Sequence, residues 1–170
     1  MADVKPVYLS RFVDYAAALA WAALAGVRLR QMVDGNPLGF LLALQAGLVA
    51  WLIMRRRPAQ EESRLAWRVL AWGSALLPLA FQVGGMPLLP LWMAGTLSVL
   101  GLGLAIWALM SLGEAFGVAP ADRGLIVRGP YQWIRHPAYA GELISIGGFV
   151  LGSASAWNGG VFILLAVSLL

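Results

Sequence analysis

The residue types best able to do chemistry in this chain are gathered in one stretch, Gly129-Pro130-Tyr131-Gln132-Trp133-Ile134-Arg135-His136-Pro137-Ala138-Tyr139-Ala140-Gly141-Glu142. His136 is the only histidine. Pro137 suits the first turn of a helix, where its missing N–H costs nothing, and this puts His136 at or beside the N-cap. A helix start offers unpaired N–H groups and a partial positive charge, a receptor for a carboxylate or phosphate. Arg135 adds a permanent cation with a planar fork of donors. On a helix, His136, Tyr139 and Glu142 are spaced three apart and share one stripe. Glu142 lies inside an otherwise apolar helix, where an ionisable group is costly and usually has a purpose. Arg135, Tyr131 and Trp133 also have a plainer use, because all three types favour the headgroup depth of a bilayer. Glu114 is open to two readings, contact with a ligand or an ion pair with an arginine of its own segment.

The elements that must position these residues are set by composition. Hydrophobic residues make up 61% of the 170 residues and charged residues 12%, with a mean hydropathy of +0.78. Soluble domains carry roughly 25% charged residues. The expected fold is therefore all-α, a polytopic helical membrane protein with five to six hydrophobic segments in a single integral membrane domain spanning residues 1–170. Cysteine is absent, which excludes disulfides, thiolate catalysis and cysteine-bound zinc or iron–sulfur clusters. One histidine and no dense carboxylate cluster argue against a protein-built metal site. The basic pI of about 10.1 does not signal nucleic-acid binding, because the cations fall between apolar runs, where they orient helices and meet anionic lipid.

In chain order, the pattern predicts four transmembrane helices within residues 1–112. The first covers 12–33, with Asp14 near one end and Arg28 and Arg30 near the other. Asp34-Gly35-Asn36-Pro37 is a turn signal. The second covers 38–54 and runs into the water-exposed loop from Arg55 to Arg64. The third covers 65–83 and carries Pro78, a candidate kink. The fourth covers 91–112, where Gly95, Gly101 and Gly103 permit close helix approach. Residues 113–137 are too polar and broken to span and too apolar for an ordinary linker, so they read as a cytosolic interfacial segment. Segments 138–152 and 158–170, divided by Ser153–Gly160, are expected to form a C-terminal helical hairpin.

Charge bias sets the orientation. Lys5, Arg11, Arg55, Arg56, Arg57, Arg64, Arg68, Arg123, Arg128 and Arg135 fall on one side of this layout and only Arg28 and Arg30 on the other. Ten cations against two place the N-terminus and the His136 site in the cytoplasm by the positive-inside rule. The expected location is a bacterial inner membrane. A cytosolic anion site beside a membrane suits a soluble charged cofactor meeting a lipid-soluble substrate.

The motif Gly129-Pro130-Tyr131-x-x-x-Arg135-His136-Pro137-x-Tyr139-x-Gly141-Glu142, preceded by Leu112-Gly113-Glu114-Ala115-Phe116, resembles the isoprenylcysteine carboxyl methyltransferase family and the related phospholipid methyltransferases. The close resemblance covers about residues 112–152, and the earlier helices agree in hydropathy only. It implies an integral membrane enzyme that transfers a methyl group from S-adenosylmethionine to a lipid-like or prenylated acceptor. It also implies that Tyr131, His136, Pro137, Tyr139, Gly141 and Glu142 hold the cofactor, with Arg135 and Glu142 in catalytic roles. Such a transfer discharges the sulfonium and needs no metal, so alignment and exclusion of water carry most of the acceleration. Family members continue past this hairpin into a cytosolic segment with an arginine and paired glutamates, whereas this sequence ends at Ser168-Leu169-Leu170. The expectation for residues 1–170 is cofactor binding with little methyl transfer. Membrane sterol reductases carry similar Arg-His-Pro-x-Tyr stretches. The alternative functions are therefore an NADPH-dependent reductase, with Arg123, Arg128 and Arg135 as phosphate contacts, and a catalytically incomplete membrane scaffold.

Overall fold

The structure is a computed structural model that describes residues 7–33, 39–57, 65–82, 85–118 and 125–169. The expected turn at 34–37, most of the loop ending at Arg64 and residues 119–124 lie outside the described residues. Among the described residues six α-helices follow one another: α1 (Val7–Val33), α2 (Gly39–Arg55), α3 (Leu65–Leu76), α4 (Leu91–Leu112), α5 (Pro137–Gly152) and α6 (Ala156–Leu169). No β-strand occurs among the described residues, so the all-helical expectation holds. Among the described residues one helix, α4 with its continuation to Ala115, is long and apolar enough by itself to cross a membrane. The apolar parts of α2 and α6 are shorter.

Two helix pairs make up the body. In the first, α1 and α2 pack along their lengths. Ala18, Val49, Leu52 and Ile53 are buried together and are joined by Leu109 of α4 and by Phe116. Arg56, just past the end of α2, donates a hydrogen bond from Nε to Asp14 Oδ2 at 3.0 Å, and a second nitrogen pairs with Oδ1. The two charges are mostly shielded from solvent, and they lock the start of α1 to the end of α2. Arg28 and Arg30 consequently lie toward the opposite end of the molecule.

The second pair, α4 with α5, is closer still, and small side chains explain why. Ala94, Ser98, Gly101, Ala105 and Ala108 are buried along α4, while Pro137, Gly141 and Gly148 are buried along α5. Spacings of three and four keep each set on one face. A Cβ added at Gly141 would stand 2.5 Å from the Ala105 amide nitrogen and 2.7 Å from the Gly101 carbonyl oxygen. One at Gly148 would stand 2.6 Å from Ser98 Oγ. Ser98 Oγ donates across the seam to the Ser145 carbonyl at 2.9 Å. Of the glycines expected to bring helices together, Gly101 does so, whereas Gly95 and Gly103 point into open space. The periodicity of α4 decides this, because Gly95 and Gly103 fall off the stripe shared by Ala94, Ser98, Gly101 and Ala105.

Two further expectations change. The segment 65–83 does not continue as one helix: α3 stops at Leu76, and Leu77–Ala80 tighten into a 3₁₀ turn with Pro78 in its first positions. Proline has no N–H for the α-helical ladder and ends the helix here rather than kinking it. The partner of α5 also differs from the expected hairpin. α6 follows directly after Ser153–Ser155, yet α5 packs chiefly on α4 and only lightly on α6. Pro137, Gly141 and Gly148 make a flat seam for α4, whereas on the α6 side a Cβ added at Gly147 would meet the Phe162 ring at an ordinary 3.6 Å.

The far end of the bundle is tied by the backbone. Met86 N–H donates to the Ala154 carbonyl at 3.0 Å, the Ala154 N–H returns to Met86 at 3.2 Å, and Leu88 N–H donates to Leu151 at 2.8 Å. Asn158 is fully buried there with its amide satisfied. Its Nδ2 donates to the Gln82 and Ser153 carbonyls at 3.0 and 2.8 Å, and its Oδ1 accepts the Gln82 N–H at 3.1 Å. A buried amide with all these partners specifies one docking of α6. These ties leave the other end, where α4 stops and α5 starts, to carry the chemistry.

Candidate active site

Gly129 begins the site. Its φ is +60°, a left-handed conformation that glycine adopts without the penalty of a side chain. It also presses on α4: an added Cβ would collide with Ser111 Oγ and lie 3.5 Å from Trp107 Nε1. Arg128, just before it, donates from Nε to the Ser111 carbonyl at 2.8 Å, placing a cation at the C-terminus of α4, where the helix dipole favours one. Gly129→Ala is expected to cost about 1–2 kcal/mol from the backbone conformation alone. Thermal unfolding in detergent measures it, with Gly103→Ala as the uncrowded control. Equal midpoints for the two variants would contradict the assignment.

From Gly129 the chain makes a 3₁₀ turn to Gln132, with Pro130 fully buried beneath it. The Trp133 and Ile134 N–H groups both donate to the Pro130 carbonyl, at 3.2 and 3.0 Å. The Trp133 ring leans on Trp107 of α4 with centroids 6.1 Å apart. The turn is thus fastened to α4 before α5 begins.

His136 is the N-cap of α5 and Pro137 its first residue. The His136 carbonyl accepts the Ala140 N–H at 3.0 Å, while its imidazole makes no capping bond. The first-turn N–H groups of α5 therefore keep their donor capacity toward an incoming anion. The His136 and Tyr139 rings stack, with centroids 5.7 Å apart and planes 19° from parallel. Tyr131 lies near Tyr139, and its phenol is pushed up to about 12, first by burial and then by Tyr139. Tyr131 therefore stays a neutral donor at any physiological pH. Glu142 follows one turn along α5 and is partly buried.

The structure sorts the residues singled out from the sequence into three groups. His136, Tyr139 and Glu142 follow one stripe of α5, and Tyr131 is near enough to Tyr139 for the two phenols to interact electrostatically. Pro137 and Gly141 face α4 instead, and close packing accounts for both being small or ring-locked. Arg135 is exposed at the rim, and no hydrogen bond or ion pair engages it among the described residues. Glu114 pairs with Arg57, from the end of α2 rather than from its own segment: Arg57 Nε donates to Glu114 Oε2 at 3.1 Å and Arg57 N–H to the Glu114 carbonyl at 2.8 Å.

One feature of this end was not singled out from the sequence. A cavity of about 530 Å³ lies between the end of α2 and the segment after α4, lined by Trp51, Arg55, Arg57, Glu114, Val127 and Arg128 among others. None of Tyr131, Arg135, His136, Tyr139 or Glu142 lines it. The run Arg55–Arg57 carried the only sequence signal, and it reads equally well as a topology determinant.

A model of the phospholipid methyltransferase family matches residues 89–170. Comparison with curated proteins and with solved structures returns no match. The matched stretch begins just before α4 and takes in the α4–α5 pair, the Gly129 turn and the whole His136–Glu142 stripe. The family is that of a membrane-associated methyltransferase. Residues 89–170 thus match the phospholipid methyltransferase family, one of the two families that the Arg135-His136-Pro137 motif resembles.

Proposed function

We propose that the chain is a multi-pass membrane methyltransferase that takes its methyl group from S-adenosylmethionine and delivers it to a lipid-like or prenylated acceptor. The observation that carries this reading is the uncapped start of α5, flanked by the stacked His136 and Tyr139 rings and followed by Glu142, inside the family-matched stretch. The residue types fit the cofactor. The first-turn N–H groups, with Arg135 at the rim, suit its carboxylate. Glu142 suits its ammonium group or ribose hydroxyls, and the aromatic rings suit adenine or the sulfonium. When bound, the cofactor supplies a methyl group activated by the positive sulfur. The protein's part is to hold, align and keep water out, and alignment alone is worth orders of magnitude in rate.

Calorimetric titration of the detergent-solubilised chain with S-adenosylhomocysteine tests the reading. Binding is expected, and NADPH is expected to give none. Binding of NADPH but not of S-adenosylhomocysteine would replace the methyltransferase by a reductase. Tritiated methyl transfer into a lipid extract and into a prenylcysteine analogue identifies the acceptor.

The proposed topology has the N-terminus and the His136 site in the cytoplasm. It is supported by the two ends of the bundle: Arg55, Arg56, Arg57, Arg128 and Arg135 gather at one, while Arg28 and Arg30 lie toward the other. Single cysteines at the exposed positions Gln132 and Ser155 are expected to label from opposite faces, Gln132 from the cytosol. Labelling of both from one face would overturn the arrangement.

A further inference from the structure

The cavity beside the site has a composition of its own. Three guanidinium groups, Arg55, Arg57 and Arg128, meet one carboxylate, Glu114, so the wall carries an excess of positive charge. Each arginine is held in place by a contact of its own. Arg55 lies over the Trp51 ring, 5.0 Å from its centroid. Arg57 uses Nε toward Glu114, and Arg128 uses Nε toward the Ser111 carbonyl. A guanidinium offers five N–H donors in a planar fork that matches phosphate oxygens. The rest of the rim is apolar and exposed: Trp51 (51%), Leu125 (90%) and Val127 (65%). Exposed cations beside exposed hydrocarbon in one cleft suit an amphiphile with an anionic head.

We propose that this cavity holds the phosphate of an anionic membrane phospholipid, with its acyl chains leaving over Trp51, Leu125 and Val127. The ligand class follows from charge and rim together. The excess cations favour a head with net negative charge over a zwitterionic one, where the choline or ethanolamine cation would oppose the arginines. A small soluble phosphate ester would satisfy the arginines but gain nothing from the apolar rim. Trp51 and Arg55 come from α2 and Arg57 from just beyond its end, all outside the family-matched residues, so the site combines the N-terminal helices with the segment leading to Gly129. The proposal goes beyond the methyltransferase reading and does not depend on it, since the lipid held here need not be the one methylated.

The test uses the full chain in neutral detergent and three probes: dihexanoyl phosphatidylglycerol, dihexanoyl phosphatidylcholine and glycerol 3-phosphate. The anionic lipid is expected to bind tightest. Arg55→Gln, which removes a cation whose only contact among the described residues is Trp51, is expected to weaken it about tenfold or more, as for loss of a charged hydrogen bond. Arg30→Gln, at the other end of α1, should leave it unchanged. Should Arg55→Gln fail to fold, Arg57→Gln is read instead, and the probe comparison on the unaltered chain stands in either case. Equal binding of the two lipids, or an equal loss with Arg30→Gln, would reduce the effect to non-specific charge and overturn the proposal. Glycerol 3-phosphate binding as tightly as the lipid would replace the membrane source by a soluble phosphate ester. The titration is repeated with saturating S-adenosylhomocysteine. Retained lipid binding is expected, and displacement would assign the cavity to the cofactor and overturn the proposal. Absence of S-adenosylhomocysteine binding would count against the methyltransferase reading alone.

Discussion

Gly141→Leu is expected to force α4 and α5 apart and to destabilise the protein by about 3 kcal/mol or more, the upper end of overpacking penalties. The reason is the nature of the neighbours. A Cβ at this position meets the Ala105 amide nitrogen at 2.5 Å and the Gly101 carbonyl oxygen at 2.7 Å, both backbone atoms that cannot swing away. The helices can accept the side chain only by separating, which breaks the Ser98–Ser145 hydrogen bond and the small-residue seam around it. Gly141→Ala already introduces the offending atom and should fall between the two. Gly103→Leu on α4 is the control, since nothing lies within 4 Å of an added Cβ there. The measurement is unfolding in mixed micelles, followed by far-UV circular dichroism. Similar loss in Gly103→Leu and Gly141→Leu would show that the seam is not what holds the pair.

The second large effect is on the cofactor. His136→Ala removes the ring stacked on Tyr139 at the start of α5, and Glu142→Gln removes the carboxylate charge one turn beyond Tyr139. Each is expected to weaken S-adenosylhomocysteine by about 1.5–3 kcal/mol, roughly a 10- to 150-fold rise in Kd, the cost of losing a contact to a charged group. Folding should be little changed, because His136 is exposed and makes no capping bond, and Glu142 lies off the stripe that packs on α4. Ser155→Ala, at the far end of the bundle, serves as the control. Unchanged affinity in a folded His136→Ala protein would leave the histidine a role in shaping the helix start only. Equal losses in Ser155→Ala and Glu142→Gln would point to a global disturbance instead of a site.

Much of the site end was readable one residue at a time, because its signals are local. Pro137 marks the first turn of a helix whatever lies around it, and α5 does start there. The spacing of His136, Tyr139 and Glu142 needs only the pitch of a helix to become a stripe. Pro78 was equally local, yet a proline can either kink or end a helix, and here α3 ended at Leu76 in a 3₁₀ turn instead of bending. Gly141 illustrates the opposite case. In a motif it looks like a residue kept small for a ligand, while in the fold it is kept small for Ala105.

Composition and hydropathy were enough for an all-helical chain, Pro137 alone for the start of a helix, and the Gly129–Glu142 motif for the resemblance that the family match over residues 89–170 bears out. Each of these depends on interactions within a few residues or on summed hydropathy. Which helices touch was a different matter. Gly95, Gly101 and Gly103 are chemically identical, and only the rotation of α4 against α5 decides that Gly101 alone lies in the seam. Arg57 reaches Glu114 across 57 positions of sequence, Arg56 reaches Asp14 across 42, and Asn158 reaches Gln82 across 76. No local pattern encodes such pairs, because their partners are brought together by how whole helices dock. The arginine-lined cavity exists for the same reason: its walls come from α2 and from the segment after α4, and they meet only once the two helix pairs have packed.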